Sequence, residues 1–374
     1  MKTVFHIISR LDVGGAERVA INIAMSEHRD YRHHIVELQR GHSPFTREML
    51  RELRECGIPC HRSWLPIYLH LHCYVDRLIS ILFPLRFLFL WLRYRPDVVH
   101  SHTEMPDMAL WLTCRAFPFM KMRIVRTIHN TLLWSGMEWI GPRVERFMRQ
   151  RDANVAISPS VRQAYNDRFG TLPPVILNGV SPTPQHPYGG IVPGKINILF
   201  AGRFEEQKGI TILCAIAKAL EDDDRYHFHI FGAGRQQHLV DTLRHQGNVT
   251  ILPPLHGIAA VMQSFDYLIM PSLHEGLGLL SVEASMNGAL PLLNLCTGLS
   301  DTVPSDWPLV VHDNNMDEWL RLFRETLPCA DRHALSMKAR QYVEKHFSVK
   351  RMQQEYELLY QQYPPYSPLP RMSA

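Results

Sequence analysis

The chain has no long uncharged apolar run, no second pair of cysteines beside Cys56 and Cys60, no low-complexity tract and no dinucleotide fingerprint. Each absence closes off a class of protein. A membrane-spanning helix needs about twenty apolar residues. The most apolar stretch, residues 78–92, has only eight uncharged residues between Arg77 and Arg86, and Pro84 interrupts them. It reads as a crossover helix of the core, with Arg86 and Arg93 marking its solvent face. The other reading is an interfacial helix that sets Arg86, Arg93 and Arg95 on anionic headgroups. The seven cysteines are odd in number and irregularly spaced, so neither a disulfide framework nor a zinc ribbon is indicated. They read as reduced thiols packed as small hydrophobes. The first apolar run stops at Arg10 and Asp12, too short for a signal peptide, and a cytoplasmic protein is expected. Asp222-Asp223-Asp224 formally contains the carboxylate pair of some metal sites. It falls between a helix end and a strand, where acidic residues are usually solvated, and no metal is expected.

The composition is that of a soluble globular protein, 46% hydrophobic and 20% charged over 374 residues, a length comfortable for two domains. Residues 1–185 contain 24 Lys and Arg against 16 Asp and Glu, a surplus of eight, while the remainder is acidic by four. A basic first half fits an anionic acceptor or membrane surface, and equally an ordinary protein surface.

Short apolar runs at residues 4–9, 34–38, 97–100, 124–128, 154–157 and 175–177 alternate with helical stretches, the pattern of a doubly wound parallel sheet. A Pro-rich turn cluster around residues 181–187 ends the pattern. It restarts with strands at 196–200, 228–231, 249–252, 267–270, 290–293 and 309–311, and helices at 209–220, 234–245 and 281–287. Residues 317–360 read as helical and the tail, 364–374, as frayed. The expected architecture is α/β, with domains at 1–185 and 190–345 and a C-terminal helix at 346–362. Two such domains imply a ligand crevice at the carboxyl ends of their strands.

Several strand ends carry chemistry. After 267–270 comes Pro271-Ser272-Leu273-His274-Glu275-Gly276-Leu277-Gly278, leading into a helix that contains Glu283. Glycines let a ligand approach the backbone, the helix start offers N–H groups to a phosphate, and the two carboxylates can accept hydrogen bonds from sugar or ribose hydroxyls. After 196–200 comes Gly202-Arg203-Phe204-Glu205-Glu206-Gln207-Lys208-Gly209, which places a guanidinium and an ammonium where they could hold phosphate oxygens. A solvated loop is the plain alternative. Gly14 and Gly15 follow the first strand and permit close approach of a phosphate or sugar, but lack the spacing of a nicotinamide site. Gly232 and Gly234 follow residues 228–231. His100, His102 and His129 stand at strand ends, and 21 histidines in the chain make any single one a weak pointer.

The Glu275-x7-Glu283 segment, flanked by "PSLHEGLG" and "EASMNGALP", resembles the signature of retaining glycosyltransferases of family 4, which have the GT-B architecture of two Rossmann-like domains facing across a cleft. Gly202-Arg203-x4-Lys208-Gly209 resembles the same family's cationic motif. The resemblance implies that Arg203 and Lys208 hold the donor diphosphate, Glu283 the ribose, and Glu275 with Gly276, Leu277 and Gly278 the donor sugar. It implies that Gly232 and Gly234 border the nucleotide, that Gly14 and Gly15 belong to a loop over donor or acceptor, and that His129, with His102 as second choice, touches the transferred sugar. Gly298-Leu299-Ser300-Asp301 departs from the family's Gly-Gly-x-x-Glu, which puts a donor role for Asp301 in doubt. The implied reaction uses a nucleotide-sugar donor, with uridine the commonest base, and a glycan or lipid-linked glycan acceptor. It needs no cofactor, metal or nucleic acid. Bacterial surface polysaccharide assembly (O-antigen, lipopolysaccharide or capsule) at the inner membrane face is the implied setting. A nucleotide-sugar epimerase of the same architecture and a non-catalytic sugar-nucleotide-binding protein are the alternatives.

Overall fold

The computed structural model describes residues 1–12, 14–27, 30–64 and 72–361, with residues 72–80 described by their backbone alone. The tail at 364–374 and the last residue of the expected C-terminal helix, 362, lie outside the described residues. The chain divides into two compact units. The first takes in Met1–Ile157, Val161–Gly179 and the chain from Val349 onward; the second takes in Ser158–Ser160 and Val180–Ser348.

Six parallel strands form the sheet of the first unit: β1 (Lys2–Ile8), β2 (Tyr31–Glu37), β3 (Cys60–His61), β4 (Val98–His102), β5 (Arg123–Ile128) and β6 (Asn154–Ala156). Their order is β3-β2-β1-β4-β5-β6. Val4 to Ile8 are all buried, as expected of a parallel strand covered on both faces by crossover helices. Register places His6 beside Ile35 and His100, and His102 beside Thr127. Alternate residues of a strand share a face, so His6, His33, His100, His102 and Thr127 line one side. The helix Val349–Gln361 covers that side, with Tyr360 Oη 2.8 Å from His100 Nδ1 and Tyr356 Oη 2.8 Å from Thr127 Oγ1.

Arg126 occupies the other side of the sheet and is fully buried. Its Nε donates to Asp107 Oδ2 at 2.6 Å and its Nη1 to Glu145 Oε1 at 2.8 Å. Ser101, Trp134 and Tyr165 donate to the same two carboxylates. The buried charges are thus paired and their remaining lone pairs engaged, the condition under which burial of ions is tolerated.

The second unit repeats the winding with β7 (Ile196–Arg203), β8 (Tyr226–Ala233), β9 (Val249–Leu252), β10 (Tyr267–Met270), β11 (Leu290–Asn294) and β12 (Val310–Val311). The order is β12-β11-β10-β7-β8-β9, again with every pair parallel. Counted from its own first strand, this is the order of the first sheet. In each, the connection reverses direction between first and fourth strands, at β1/β4 and at β7/β10, and ligands of such sheets bind outside the strand ends at that point.

The structure corrects several element expectations. Residues 175–177 form no strand, only a single bridge from Val175 to Ala156; Pro173 and Pro174 lead into it and have no N–H for a ladder. The helix expected at 234–245 shrinks to Gln237–Asp241. Residues 317–360 are several helices, broken near Pro328 and restarted where Asp331 Oδ1 caps Ala334 N. Pro84 interrupts nothing, since one helix runs His72–Tyr94 through it. That helix also departs from the expected amphipathic pattern. Phe83, Phe87, Leu90 and Trp91 turn inward, but Ile81, Leu82, Leu85, Phe89 and Leu92 are exposed. Arg86 turns in, donating to the carbonyls of Glu37 and His61, so of the two expected surface markers only Arg93 is exposed. Among the described residues, no helix is long and apolar enough to cross a membrane.

Candidate functional site

At the β7/β10 switch point the two motif loops meet. Lys208 Nζ donates to Glu275 Oε1 at 2.6 Å, and Ser272 Oγ donates to the same oxygen at 2.8 Å. Glu275 is 7% exposed, and its Oε2 has no partner among the described residues. Arg203, at the last position of β7, is exposed with no side-chain partner among the described residues. The two loops thus carry a buried carboxylate held by a lysine, and β7 ends on a guanidinium open to solvent.

Backbone contacts fix this geometry. Gly209 has φ +67°, and a Cβ there would lie 1.9 Å from the Pro271 carbonyl oxygen. Only glycine lets the β7 loop lie directly against the β10 loop. The β10 loop is tied down further: Leu273 N donates to Gln207 O at 2.8 Å, Glu275 N to Thr297 O at 2.8 Å, Asn294 Nδ2 to Ser272 O at 2.9 Å and Asn314 Nδ2 to Pro271 O at 2.9 Å. Support of this kind holds a charged pair to one geometry. Gln207, Ser272, Asn294 and Asn314 were not singled out from the sequence. Their signal is a buried or half-buried polar side chain at a strand or loop end, legible only once the strands are ordered.

The other residues of the second unit fall nearby in the chain but differ in role. Gly278 opens the helix Leu279–Asn287 with no side-chain cap, and Leu277 is buried. Glu283 sits half-buried in the second turn of that helix, while Gly276 O accepts from Ser158 Oγ at 2.8 Å. Gly232 and Gly234 serve packing: a Cβ on Gly232 would lie 2.1 Å from Gly202 O, and one on Gly234 2.5 Å from Phe204 O. They let the β8 exit lie on the β7 exit, beside Arg203. Asp301 Oδ2 accepts from Ser160 N at 3.2 Å. Asp223 engages Arg225 at 2.7 and 2.8 Å.

The β1/β4 switch point of the first unit is built differently. Gly14 caps the helix Gly15–Ala24, and Gly15 is exposed. Burial pushes the Glu17 carboxyl up to about 7. Thr103, just after β4, has φ +76°, strained for a β-branched residue, and its Oγ1 lies 2.9 Å from Ser9 Oγ. His102 ends β4 and His129 follows β5, with His102 Nδ1 3.3 Å from His129 Nε2. Burial pushes His129 down to about 3 and His33 to about 4, and holds His6, His100 and His102 well below the ordinary histidine range. His6, His100 and His102 bring one nitrogen each within 4.8 Å of the others, the one group of metal-ligating side chains found among the described residues. The zinc-type spacings sought in the sequence could not show it, because its members come from β1 and β4.

Two family models match the chain one after the other: glycosyltransferase family 4 over residues 13–183 and glycosyl transferases group 1 over residues 195–327. The chain belongs to the family-4 glycosyltransferases of the GT-B architecture. Among individual proteins it is similar to a glycogen synthase of Mycobacterium tuberculosis, 26% identical over 240 residues that cover 56% of this chain and 55% of that protein. It is also similar to the GDP-mannose:cellobiosyl-diphosphopolyprenol alpha-mannosyltransferase of Xanthomonas oryzae, 30% identical over 131 residues, 32% of this chain and 34% of the relative. The chain spans little more than half the length of the first of these and about a third of the second. HepE of Anabaena, solved in complex with UDP, shares the fold with a TM-score of 0.75 at 18% identity, over 97% of this chain and 100% of that one.

Proposed function

We propose that this protein is a retaining, metal-independent glycosyltransferase that moves a sugar from a nucleotide-sugar donor, a UDP-sugar first among candidates, to a glycan or lipid-linked glycan acceptor. The observation that carries the reading is the Lys208–Glu275 pair beside the exposed Arg203 at the β7/β10 switch point. As the bond between sugar C1 and phosphate oxygen loosens, negative charge grows on the leaving diphosphate. Lys208 and Arg203 meet that charge more strongly in the transition state than before it, and so raise turnover. These two cations supply the neutralisation for which other transferases use a divalent ion. The free Oε2 of Glu275 is open to accept from donor-sugar hydroxyls, and Glu283 from the ribose.

The acceptor hydroxyl forms its bond to C1 on the face the phosphate leaves, so configuration is kept. Its proton passes to the departing phosphate oxygen, and no separate pair of acid and base carboxylates is needed. The family resemblance assigns His129, with His102 as second choice, to contact with the transferred sugar.

A setting in bacterial surface polysaccharide assembly, at the cytoplasmic face of the inner membrane, is supported by two observations. The Xanthomonas relative is named for a diphosphopolyprenol-linked acceptor. The helix His72–Tyr94 exposes Ile81, Leu82, Leu85, Phe89 and Leu92, with exposed Arg93 and Arg95 at its end, a combination suited to an anionic lipid surface.

The test is calorimetric titration of UDP-, GDP- and ADP-sugars into the wild type and the Glu283→Ala variant, followed by nucleotide release with candidate acceptors. One donor should bind, the variant should lose it, and release should require an acceptor. Conversion of the donor to an epimer, with no acceptor present and no net nucleotide release, would instead establish the epimerase reading. Binding without turnover across acceptors would favour a non-catalytic protein.

A further inference from the structure

Ring nitrogens of four histidines follow one another across the first sheet. His33 Nδ1 lies 3.0 Å from His6 Nε2, His6 Nδ1 3.3 Å from His102 Nε2, and His102 Nδ1 3.3 Å from His129 Nε2. The four rings come from β2, β1, β4 and the residue after β5, so the file crosses the strands at right angles to the chain.

A neutral imidazole carries one N–H and one lone pair. Four neutral rings sharing three contacts use three hydrogens and leave one over, at His33 Nε2 or at His129 Nδ1. The two ends differ. His33 Nε2 is buried and has no partner among the described residues. His129 stands at the strand's carboxyl end with 8% of the residue exposed, and its Nδ1 has no partner among the described residues. A buried donor hydrogen with nothing to accept it is a rare defect in folded interiors. A hydrogen at the rim can reach water or a ligand.

We propose that the file is polarised outward, each ring donating from Nδ1 to the next, so that His129 is locked as the Nδ1–H tautomer and presents a hydrogen-bond donor. His102, His6 and His33 are then positioning residues, acting through His129. Burial disfavours a second proton on any ring, which keeps the count at one hydrogen each. A metal at His6, His100 and His102 is the competing use of these nitrogens. No carboxylate joins that group among the described residues, and both nitrogens of His6 and His102 are already engaged within the file. The ligand group that fits an Nδ1–H is an oxygen lone pair, of a sugar hydroxyl or a phosphate. That consequence rests on the reading of His129 as facing the substrate; the tautomer itself does not.

Long-range 1H–15N correlation spectra of the full-length chain, labelled at histidine, read the tautomer directly, with the His129 ring assigned by its loss in His129→Asn. At pH 8 the wild type should show His129 protonated on Nδ1 and bare on Nε2. In His102→Phe the ring should revert to the Nε2–H form that free imidazole side chains prefer. Hydrogen on Nε2 in the wild type overturns the proposal, as does an unchanged tautomer in His102→Phe. Histidine resonances that shift on dialysis against a chelator would also overturn it, since a metal-bound nitrogen cannot share a hydrogen. With His129 assigned, the wild-type spectrum decides the matter even where His102→Phe fails to fold, and a failed donor titration leaves it untouched.

Discussion

The two sheets share one strand order and differ in what they place at the same topological point. At β7/β10 the strand ends bring together opposite charges, Lys208 and Glu275 at 2.6 Å, with Arg203 open beside them. At β1/β4 they bring together neutral rings, His6 and His102, on the face where tyrosine hydroxyls meet His100 and Thr127. The fold fixes where a ligand is received, and the residues at the strand ends fix what kind. Charges suit a diphosphate, whose own charge grows as it leaves; neutral, oriented N–H groups suit hydroxyls, where a fixed charge would bind without selecting geometry.

The sharpest way to separate the two is acid. Each imidazole of the file is neutral in the folded unit, while the unfolded chain takes up a proton near pH 6.5. Their contribution is therefore full above that pH and is lost as pH falls toward the folded values, about 4 for His33 and about 3 for His129. At pH 5.5 each ring should cost about 1.4 kcal/mol relative to pH 8, so the four together approach ~6 kcal/mol. Hydrogen exchange read strand by strand should show the first sheet opening ahead of the second between pH 7 and 5. Equal protection of both sheets at pH 5.5 would contradict neutral burial of the file.

A second break leaves the file alone. Arg126→Ala strands Asp107 and Glu145 without their cation, a loss of about 3–5 kcal/mol. Chemical denaturation should register it in the first sheet while amides of β7 to β11 keep their protection. A change under 1 kcal/mol would mean that the carboxylates are neutral in the native unit.

The third and smallest effect concerns the second unit only. Gly209 and Gly257 both have positive φ, +67° and +64°, but only Gly209 has a neighbour, Pro271 O, where a Cβ would stand. Gly257→Ala should cost about 1 kcal/mol of backbone strain. Gly209→Ala should cost about 1–3 kcal/mol and, by pushing the β10 loop, weaken donor binding as well. Equal donor affinity in both variants would show that the loop contact does not set the site.

Much of this was legible in the sequence, and the limits follow from geometry. Glu275, Glu283, Arg203 and Lys208 lie in short contiguous motifs at strand ends, so local pattern finds them. That Lys208 reaches Glu275, 67 residues away, depends on β7 and β10 being neighbours, which no local pattern states. His100 and His102 read as one face of a strand because they are two apart. Their partners His6, His33 and His129 arrive from three other segments and become visible only through register. β3 escaped because two residues make no periodic signal. For residues 78–92 the sequence leaves a core crossover and an interfacial helix both open, and what it hides is Arg86, expected on the solvent face, turning in to the carbonyls of Glu37 and His61.

The β7/β10 switch point is proposed as a diphosphate site built on Lys208. Calorimetric titration of UDP and of uridine into the wild type and into Lys208→Ala tests it most directly. UDP affinity should fall at least about tenfold in the variant, as loss of a charge-assisted hydrogen bond worth about 1.5–3 kcal/mol requires, while uridine binding is unchanged. Equal loss of both ligands, or of neither, would contradict it.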